Sequence, residues 1–291
     1  MAIRKPAVAG QFYPDTRQQC LAEIVDCLPK GTIHCQLPDH ITAGIVPHAG
    51  WVFSGDLAAL VFQAIKQVNK EVDTFVLFGA AHSCYDICPV IFPDGVWETP
   101  LGKIDIDEPL TRELIGLGAK PNPQPHRQEH SIEVQIPFIQ YLFPNAAIAA
   151  IIMPPAHNGY ECQFGQKVGE LLKKSSKKIA CIASTDLTHY GAHYGFLPQG
   201  AGQAGLHWAH QTNDRYFIDK AIIMDAEHLF ESSIQHENAC GPAAAAAVVA
   251  AAKAAGCSKG YLLAHTNSAE VMKAKFQQSS TESVGYAAII F

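Results

Sequence analysis

The chain has 291 residues, 48% of them hydrophobic and 16% charged, which is apolar enough for a large core and excludes a disordered chain. Lys and Arg total 21 against 27 Asp and Glu, a formal charge of −6, so no basic surface for nucleic acid is expected. The longest strongly apolar stretch, 243–255, is short of the roughly 20 residues that span a bilayer and carries Lys253, so it reads as a buried helix rather than a membrane anchor.

The opening Met-Ala-Ile-Arg-Lys-Pro lacks the apolar core of a secretory signal. Nine cysteines are scattered without a C-x-x-C pair, which fits a reducing compartment better than a disulfide framework. A cytoplasmic protein is the expectation. The basic group Lys173, Lys174, Lys177 and Lys178 falls where a helix ends and complements its dipole.

In chain order, Asp15 with Gln18 three residues on predicts a capped helix with Leu21, Ile24, Val25 and Leu28 along its apolar face. A strand over 41–46 follows. Ser54 is the expected cap of a second helix, whose Leu57, Leu60, Val61, Ala64, Ile65 and Val68 form one face. Residues 74–78 read as a buried strand, and 87–92 with 96–106 as an antiparallel meander turning at Asp94-Gly95. Asp107 caps a helix over 107–117 with Pro109 in its first turn. The proline-bearing loop 120–129 leads into a helical stretch over 130–143 that Pro137 kinks or starts.

Strands over 147–153 and 178–183 flank a helix around 162–174, and beyond Gly200 the pattern is mainly helical to about residue 235. A helix over 242–255 stopped by Gly256, a strand over 261–265 and another over 284–291 complete the series. About six main strands alternating with helices predict crossover units, hence an α/β fold with a largely parallel sheet in a single domain over 1–291.

Parallel sheets place their sites outside the carboxyl ends of the strands. Three polar segments meet that condition: Pro47-His48-Ala49-Gly50-Trp51, Gly79-Ala80-Ala81-His82-Ser83 and Ser184-Thr185-Asp186-Leu187-Thr188-His189-Tyr190. Cys240 comes by another route, just before Gly241-Pro242 at a helix N-terminus, where the dipole favours thiolate. Two imidazoles and one anion with open positions suit a redox-active divalent metal, and a neighbouring His189 can move protons near neutral pH.

Each of these residues also has an ordinary reading. A lone histidine after a strand is more often a loop hydrogen-bonder, and Cys240 alone is more often a packing residue. The chemistry therefore depends on convergence. Asp186, His189 and Cys240 also spell a possible cysteine-nucleophile triad. No G-x-G-x-x-G, Walker, G-x-S-x-G or H-E-x-x-H motif occurs, which counts against dinucleotide, P-loop, serine-hydrolase and zincin chemistry.

The segment Ala7-Val8-Ala9-Gly10-Gln11-Phe12-Tyr13-Pro14, the His48 segment with Ser54-Gly55, Glu129-His130-Ser131-Ile132-Glu133-Val134-Gln135, and the Ser184 to Tyr190 segment together resemble the Memo family. That family is similar to the class III extradiol ring-cleaving dioxygenases of LigB type. The resemblance implies a three-layer α-β-α sandwich around a mostly parallel mixed sheet. It also implies a metal held by His48, His82 and Cys240, an acid–base His189, a second such histidine at His130, and Asp186 beside them. Trp51 and Phe53 are candidates for the cleft wall.

Where the dioxygenases carry a glutamate ligand this chain has Cys240, a softer ligand that dioxygen oxidises, with Glu237 three residues earlier as the alternative carboxylate. Iron(II) is the first expectation for the metal, with copper or zinc accommodated by a thiolate. The implied partner is a small-molecule substrate. A peptide is the alternative, since animal Memo relatives are associated with signalling and phosphotyrosine-peptide recognition, although no Arg cluster suited to phosphate stands at these loops.

Overall fold

The computed structural model describes residues 2–33, 37–156 and 158–291. In chain order its strands are β1 (Ile3–Arg4), β2 (Ala43–Val46), β3 (Thr74–Gly79), β4 (Val90–Ile91), β5 (Val96–Thr99), β6 (Gly102–Asp105), β7 (Lys120–Pro121), β8 (Ala147–Ile152), β9 (Ile179–Ser184), β10 (His189–Tyr190), β11 (Tyr261–Asn267) and β12 (Ser283–Ile290). The helices are α1 (Arg17–Cys27), α2 (Trp51–Asn69), α3 (Glu108–Gly116), α4 (Ile136–Leu142), α5 (Tyr160–Lys174), α6 (Gln203–Trp208), α7 (Asp214–Ile222), α8 (Ala226–His236), α9 (Pro242–Ala255) and α10 (Ser268–Phe276).

Strands β2, β3, β8 and β9 contain no charged residue and are buried almost throughout, as strands covered on both faces must be. They run parallel in the order β2-β9-β3-β8 at the centre of a nine-stranded sheet. Antiparallel neighbours flank them, β12 beside β2 and β4 beside β8, so the sheet is mixed. Alternation along β3 sends Phe75 and Leu77 to one face, with α1, α2 and α4, and Val76 and Phe78 to the other, with α3, α5, α7, α8 and α9. This is a three-layer α-β-α sandwich.

Local chemistry shifts some expected boundaries. Thr16, not Asp15, caps α1, its hydroxyl accepting from the Gln19 amide at 3.4 Å, and the buried face is Cys20, Ile24 and Cys27 while Val25 is exposed. Helix α2 starts at Trp51, three residues before the expected Ser54 cap. The Trp51 amide donates to the Phe12 carbonyl at 2.8 Å, which satisfies that first-turn donor from outside the helix, and its buried indole anchors the start by donating to the Val134 carbonyl at 3.0 Å. Ser54 instead donates back to the Ala49 carbonyl at 3.1 Å.

The expected meander is divided between two sheets. β4 joins the central sheet, whereas β5 and β6 form a separate sheet with β1. Gly95, at φ +95°, lies at the crossing, and a Cβ there would come 2.1 Å from the Ala2 carbonyl oxygen. Asp107 does cap α3, accepting from the Leu110 amide at 3.2 Å, and Gly256 at φ +115° ends α9. The short strands β1 and β10 and helix α10 were not foreseen. No helix among the described residues is long and apolar enough to cross a membrane.

The alanine-rich α9 is fully buried over most of its length, and α5 lies against it through two glycines. A Cβ at Gly165 would stand 2.1 Å from the Ala247 carbonyl oxygen, and one at Gly169 2.2 Å from that of Ala251. Gly165→Ala is therefore expected to cost about 1–3 kcal/mol of overpacking in urea unfolding. Gly116→Ala, at an exposed position of α3 with open space at its Cβ, is expected to be neutral or to stabilise by up to about 1 kcal/mol.

Candidate metal centre

The carboxyl ends of β2, β3 and β9 open onto the same sheet edge, so the loops that leave them deliver His48, His82 and Asp186 to one place. Cys240 arrives from the connection between α8 and α9. A bridge between Leu187 and Ala239, the Cys240 amide donating to the Asp186 carbonyl at 3.2 Å, and the Gly241 amide donating to Thr185 Oγ1 at 2.8 Å fasten it there. Its Sγ lies 3.1 Å from His48 Nε2 and accepts from the Asp186 amide at 3.3 Å. Ligand atoms lie within 4.8 Å of one another in two overlapping groups: His48 with His82 and His130, and His48 with Asp186 and Cys240.

Hydrogen bonds assign the tautomers of the first two imidazoles. The Ser184 hydroxyl donates its one proton to the Ser131 carbonyl at 2.6 Å and accepts from Gln135 Nε2 at 3.1 Å. Toward His48 Nδ1, 3.1 Å away, it can only accept, so Nδ1 carries the proton and Nε2 presents its lone pair. His82 Nδ1 likewise lies 3.0 Å from a Glu129 carboxylate oxygen, which leaves its Nε2 free. Glu129 is itself held by the amides of His82 (3.1 Å) and Ser131 (2.9 Å). A carboxylate behind a histidine is a common outer support of metal sites.

The segment around His130 is an anchor as well. Buried Glu133 pairs with Arg4 and accepts from the Ala7 amide at 2.9 Å, the Val8 amide at 3.1 Å and the Tyr13 hydroxyl at 2.9 Å. Residues 4–13 are thereby tied to 129–135, which sets the Phe12 ring 4.7 Å from His130. His130 stacks on His82 with centroids 4.7 Å apart and is only 21% exposed. Sequence reasoning did not single out Glu129, Ser184 and Gln135 as site residues, although all three fall inside the quoted motifs.

His189 and Asp186 line a cleft of about 480 Å³ with His82, His130, Phe53 and Tyr286. Trp51 is core instead, 1% exposed. The Asp186 carboxylate accepts from the His48 amide at 2.7 Å and the Ala49 amide at 3.3 Å. His189 Nδ1 donates to the Leu187 carbonyl at 3.0 Å, so the imidazole beside Cys240 is that of His48, not His189, and the Asp186–His189–Cys240 triad does not form. Glu237 caps α8 in a left-handed conformation (φ +50°) with its side chain exposed, outside every ligand group among the described residues.

The family model described as Memo-like protein matches residues 4–290. The chain belongs to the Memo-like family. A MEMO1 family protein of Pyrococcus furiosus is 35% identical over 300 residues, covering 99% of this chain and 98% of that protein. One of Methanococcoides burtonii is 34% identical over 290 residues, with 99% of each covered. The crystal structure of an uncharacterized protein from Escherichia coli K12 superposes with a TM-score of 0.50 at 12% identity over 84% of this chain and 99% of that one, a likeness of fold alone.

Burial sets the charge states in this Memo-like site. It pushes the His48 imidazole down to about 3, with His82 adding to the effect, and His130 down to about 4, with His48 and His82 adding. For His82 burial acts downward too, but the hydrogen bond and charge of Glu129 outweigh it and raise the pKa. Burial likewise works against ionised Glu129, yet the bond to His82 and that ring's charge hold it down at about 2. Burial and then the charge of Asp186 push the Cys240 thiol up, the reverse of what a helix N-terminus alone predicts. Asp186 itself is pushed up by burial.

Behind the site, buried His126 donates from Nε2 to the Val90 carbonyl at 3.2 Å, and burial pushes it down to about 3. A folded pKa below the ordinary 6.5 means that unfolding takes up a proton as pH falls, so this stability is complete above pH 6.5 and is lost toward about 3. Urea unfolding of metal-free protein should therefore show stability falling with pH below 6.5. His126→Phe should reduce that slope by about 1.4 kcal/mol per pH unit, one proton's worth.

Proposed function

We propose that this Memo-like protein is a metal-dependent oxidoreductase acting on a small molecule, with His48, His82 and Cys240 as ligands of one divalent ion. The observation that carries the reading is the pair of fixed tautomers, each with Nδ1 spent on a buried oxygen and Nε2 left as a donor, beside a thiol 3.1 Å from one of them. The donor set fits a borderline ion, iron(II) first, with copper or zinc also compatible with a thiolate. Bound there, such an ion supplies redox or Lewis-acid chemistry at its open positions.

The remaining residues supply positioning and proton transfer. His189 spends Nδ1 on the Leu187 carbonyl, so its Nε2 is the nitrogen able to take a proton from a substrate hydroxyl in the cleft and return it later. His130, which lines the same cleft, is a second proton carrier. Asp186 holds the His48 loop through two backbone amides. Phe12, Phe53 and Tyr286 give the cleft apolar walls of a size for one small ligand. A cysteine-hydrolase reading is weaker, because burial and Asp186 hold Cys240 as thiol unless a cation offsets them.

Cobalt(II) titration of anaerobically purified protein tests the ligand set. Wild type should develop a thiolate-to-cobalt charge-transfer band that Cys240→Ser abolishes and His130→Phe retains. Binding that survives Cys240→Ser unchanged but is lost in His130→Phe would transfer the third ligand to His130 and reject the assignment. Glu129→Gln should weaken the ion by about 10- to 100-fold, as removal of an outer support does. His189→Gln should keep the ion, yet lower dioxygen uptake with a panel of small diphenols by roughly 10²- to 10⁴-fold.

A further inference from the structure

A second group of ligand-type side chains stands apart from the cleft just described. His210, Asp214 and His265 place ligand atoms within 4.8 Å of one another. They come from three elements: His210 from a π-helical turn (Ala209–Asn213) between α6 and α7, Asp214 from the start of α7, and His265 from β11. Single π turns inside α-helices are often found at functional sites, because they turn a side chain off the helix register.

His265 Nε2 is 2.8 Å from Asp214 Oδ2, and His210 Nδ1 is 4.0 Å from the same oxygen. The two imidazoles stack with centroids 4.0 Å apart and 23° between their planes. All three side chains are largely buried, at 13%, 1% and 10% exposure for His210, Asp214 and His265. A buried His265–Asp214 pair with His210 packed on it is the ordinary account. It explains two residues and leaves the third, because His210 Nδ1 is shielded from solvent and has no hydrogen-bond partner. Its other nitrogen, Nε2, faces Glu270 Oε1 at 3.7 Å. Glu270 thus stands on the Nε2 side, where a carboxylate backs a metal-binding histidine, at an ion-pair rather than a hydrogen-bond distance, and Nδ1 is the nitrogen left without a partner.

We propose that His210 Nδ1, His265 Nε2 and Asp214 Oδ2 form a second divalent-metal site, of the kind zinc occupies, with Glu270 as its outer support. Two imidazoles and one carboxylate are a frequent three-ligand set for zinc, with the fourth position left to water. Bonds of about 2.0–2.2 Å in a tetrahedral arrangement put ligand atoms roughly 3.3 Å apart. The 2.8 and 4.0 Å separations lie on either side of that value, and because an imidazole binds an ion in its own ring plane, His210 must also turn out of its stack on His265 for the three to share one ion. The site also reaches the first one. Asp214 Oδ1 accepts from the Thr188 amide at 3.0 Å, and Asn213 Nδ2 donates to Thr188 Oγ1 at 3.1 Å, so the same residues hold the backbone immediately before His189. An ion on Oδ2 keeps that carboxylate fixed.

The test is equilibrium dialysis of the full chain against zinc chloride, with bound metal measured directly. A His48→Ala/Cys240→Ala variant should still bind one zinc. Adding His210→Gln should weaken that zinc by at least about tenfold. His210→Gln leaves the Asp214–His265 and Asp214–Thr188 contacts in place, so its unfolding midpoint in the absence of zinc should match that of its parent. Zinc-edge anomalous diffraction from zinc-soaked wild-type crystals should place a peak among His210, Asp214 and His265. The assignment is overturned if the double variant binds no zinc, if His210→Gln and His265→Gln leave its zinc affinity unchanged, or if no anomalous peak lies among His210, Asp214 and His265.

Discussion

A hydroxyl has one proton to give, and at Ser184 the Ser131 carbonyl takes it. That constraint fixes the polarity of everything around it: Gln135 and His48 must both donate to Ser184, and the far nitrogen of His48 must turn a lone pair toward Cys240. Because Ser184, Ser131, Gln135 and His48 are all buried, none can exchange its partner for water without cost, and the pattern is held as a unit. Gln135 also donates to the Pro47 carbonyl at 2.8 Å, which couples the proton order to the backbone that presents His48. The thiol accepts from the Asp186 amide, and the Asp186 carboxylate accepts from the His48 and Ala49 amides, so one residue fastens both halves of the candidate centre.

Much of this was legible in the sequence, for identifiable reasons. Short apolar runs such as Thr-Phe-Val-Leu-Phe-Gly and Ala-Ile-Ala-Ala-Ile-Ile, six residues long and alternating with helices, read as strands buried on both faces, and such strands bring the loops after them to one edge. That logic placed His48, His82 and Asp186 together before any coordinates. The helix stop at Gly256 and the Asp107 cap were equally local and equally readable. What failed was everything decided at long range. Trp51 starts α2 because a carbonyl from residue 12 and another from residue 134 meet it, and no cap signal within the helix could announce that. β1 and β10, two residues each, are strands only by virtue of their partners.

The side-chain partners at the site were the least readable part. Glu129 stands next to His130 in the chain yet makes its close contacts with His82, which is 47 positions away. Cys240 was expected to be activated by the start of α9, but burial and the Asp186 charge dominate its environment. His189 was expected beside the thiol, whereas its Nδ1 is occupied by a carbonyl two residues back. In each case the residue type was informative and the neighbour was not, because neighbours are chosen by packing across the sheet edge rather than by spacing along the chain.

The separation of 192 positions between His48 and Cys240 carries a consequence for how such a centre is made. On a ribosome the two imidazoles emerge long before the sulfur, and β2, which presents His48, is completed on one side by β12, whose residues are synthesised later still. A nascent chain therefore offers an ion only the two imidazoles, without the thiol that completes the proposed set. For the proposed centre, loading would therefore follow translation, and the ion it takes would be set by what the surroundings supply to a finished cleft rather than by what is captured during synthesis.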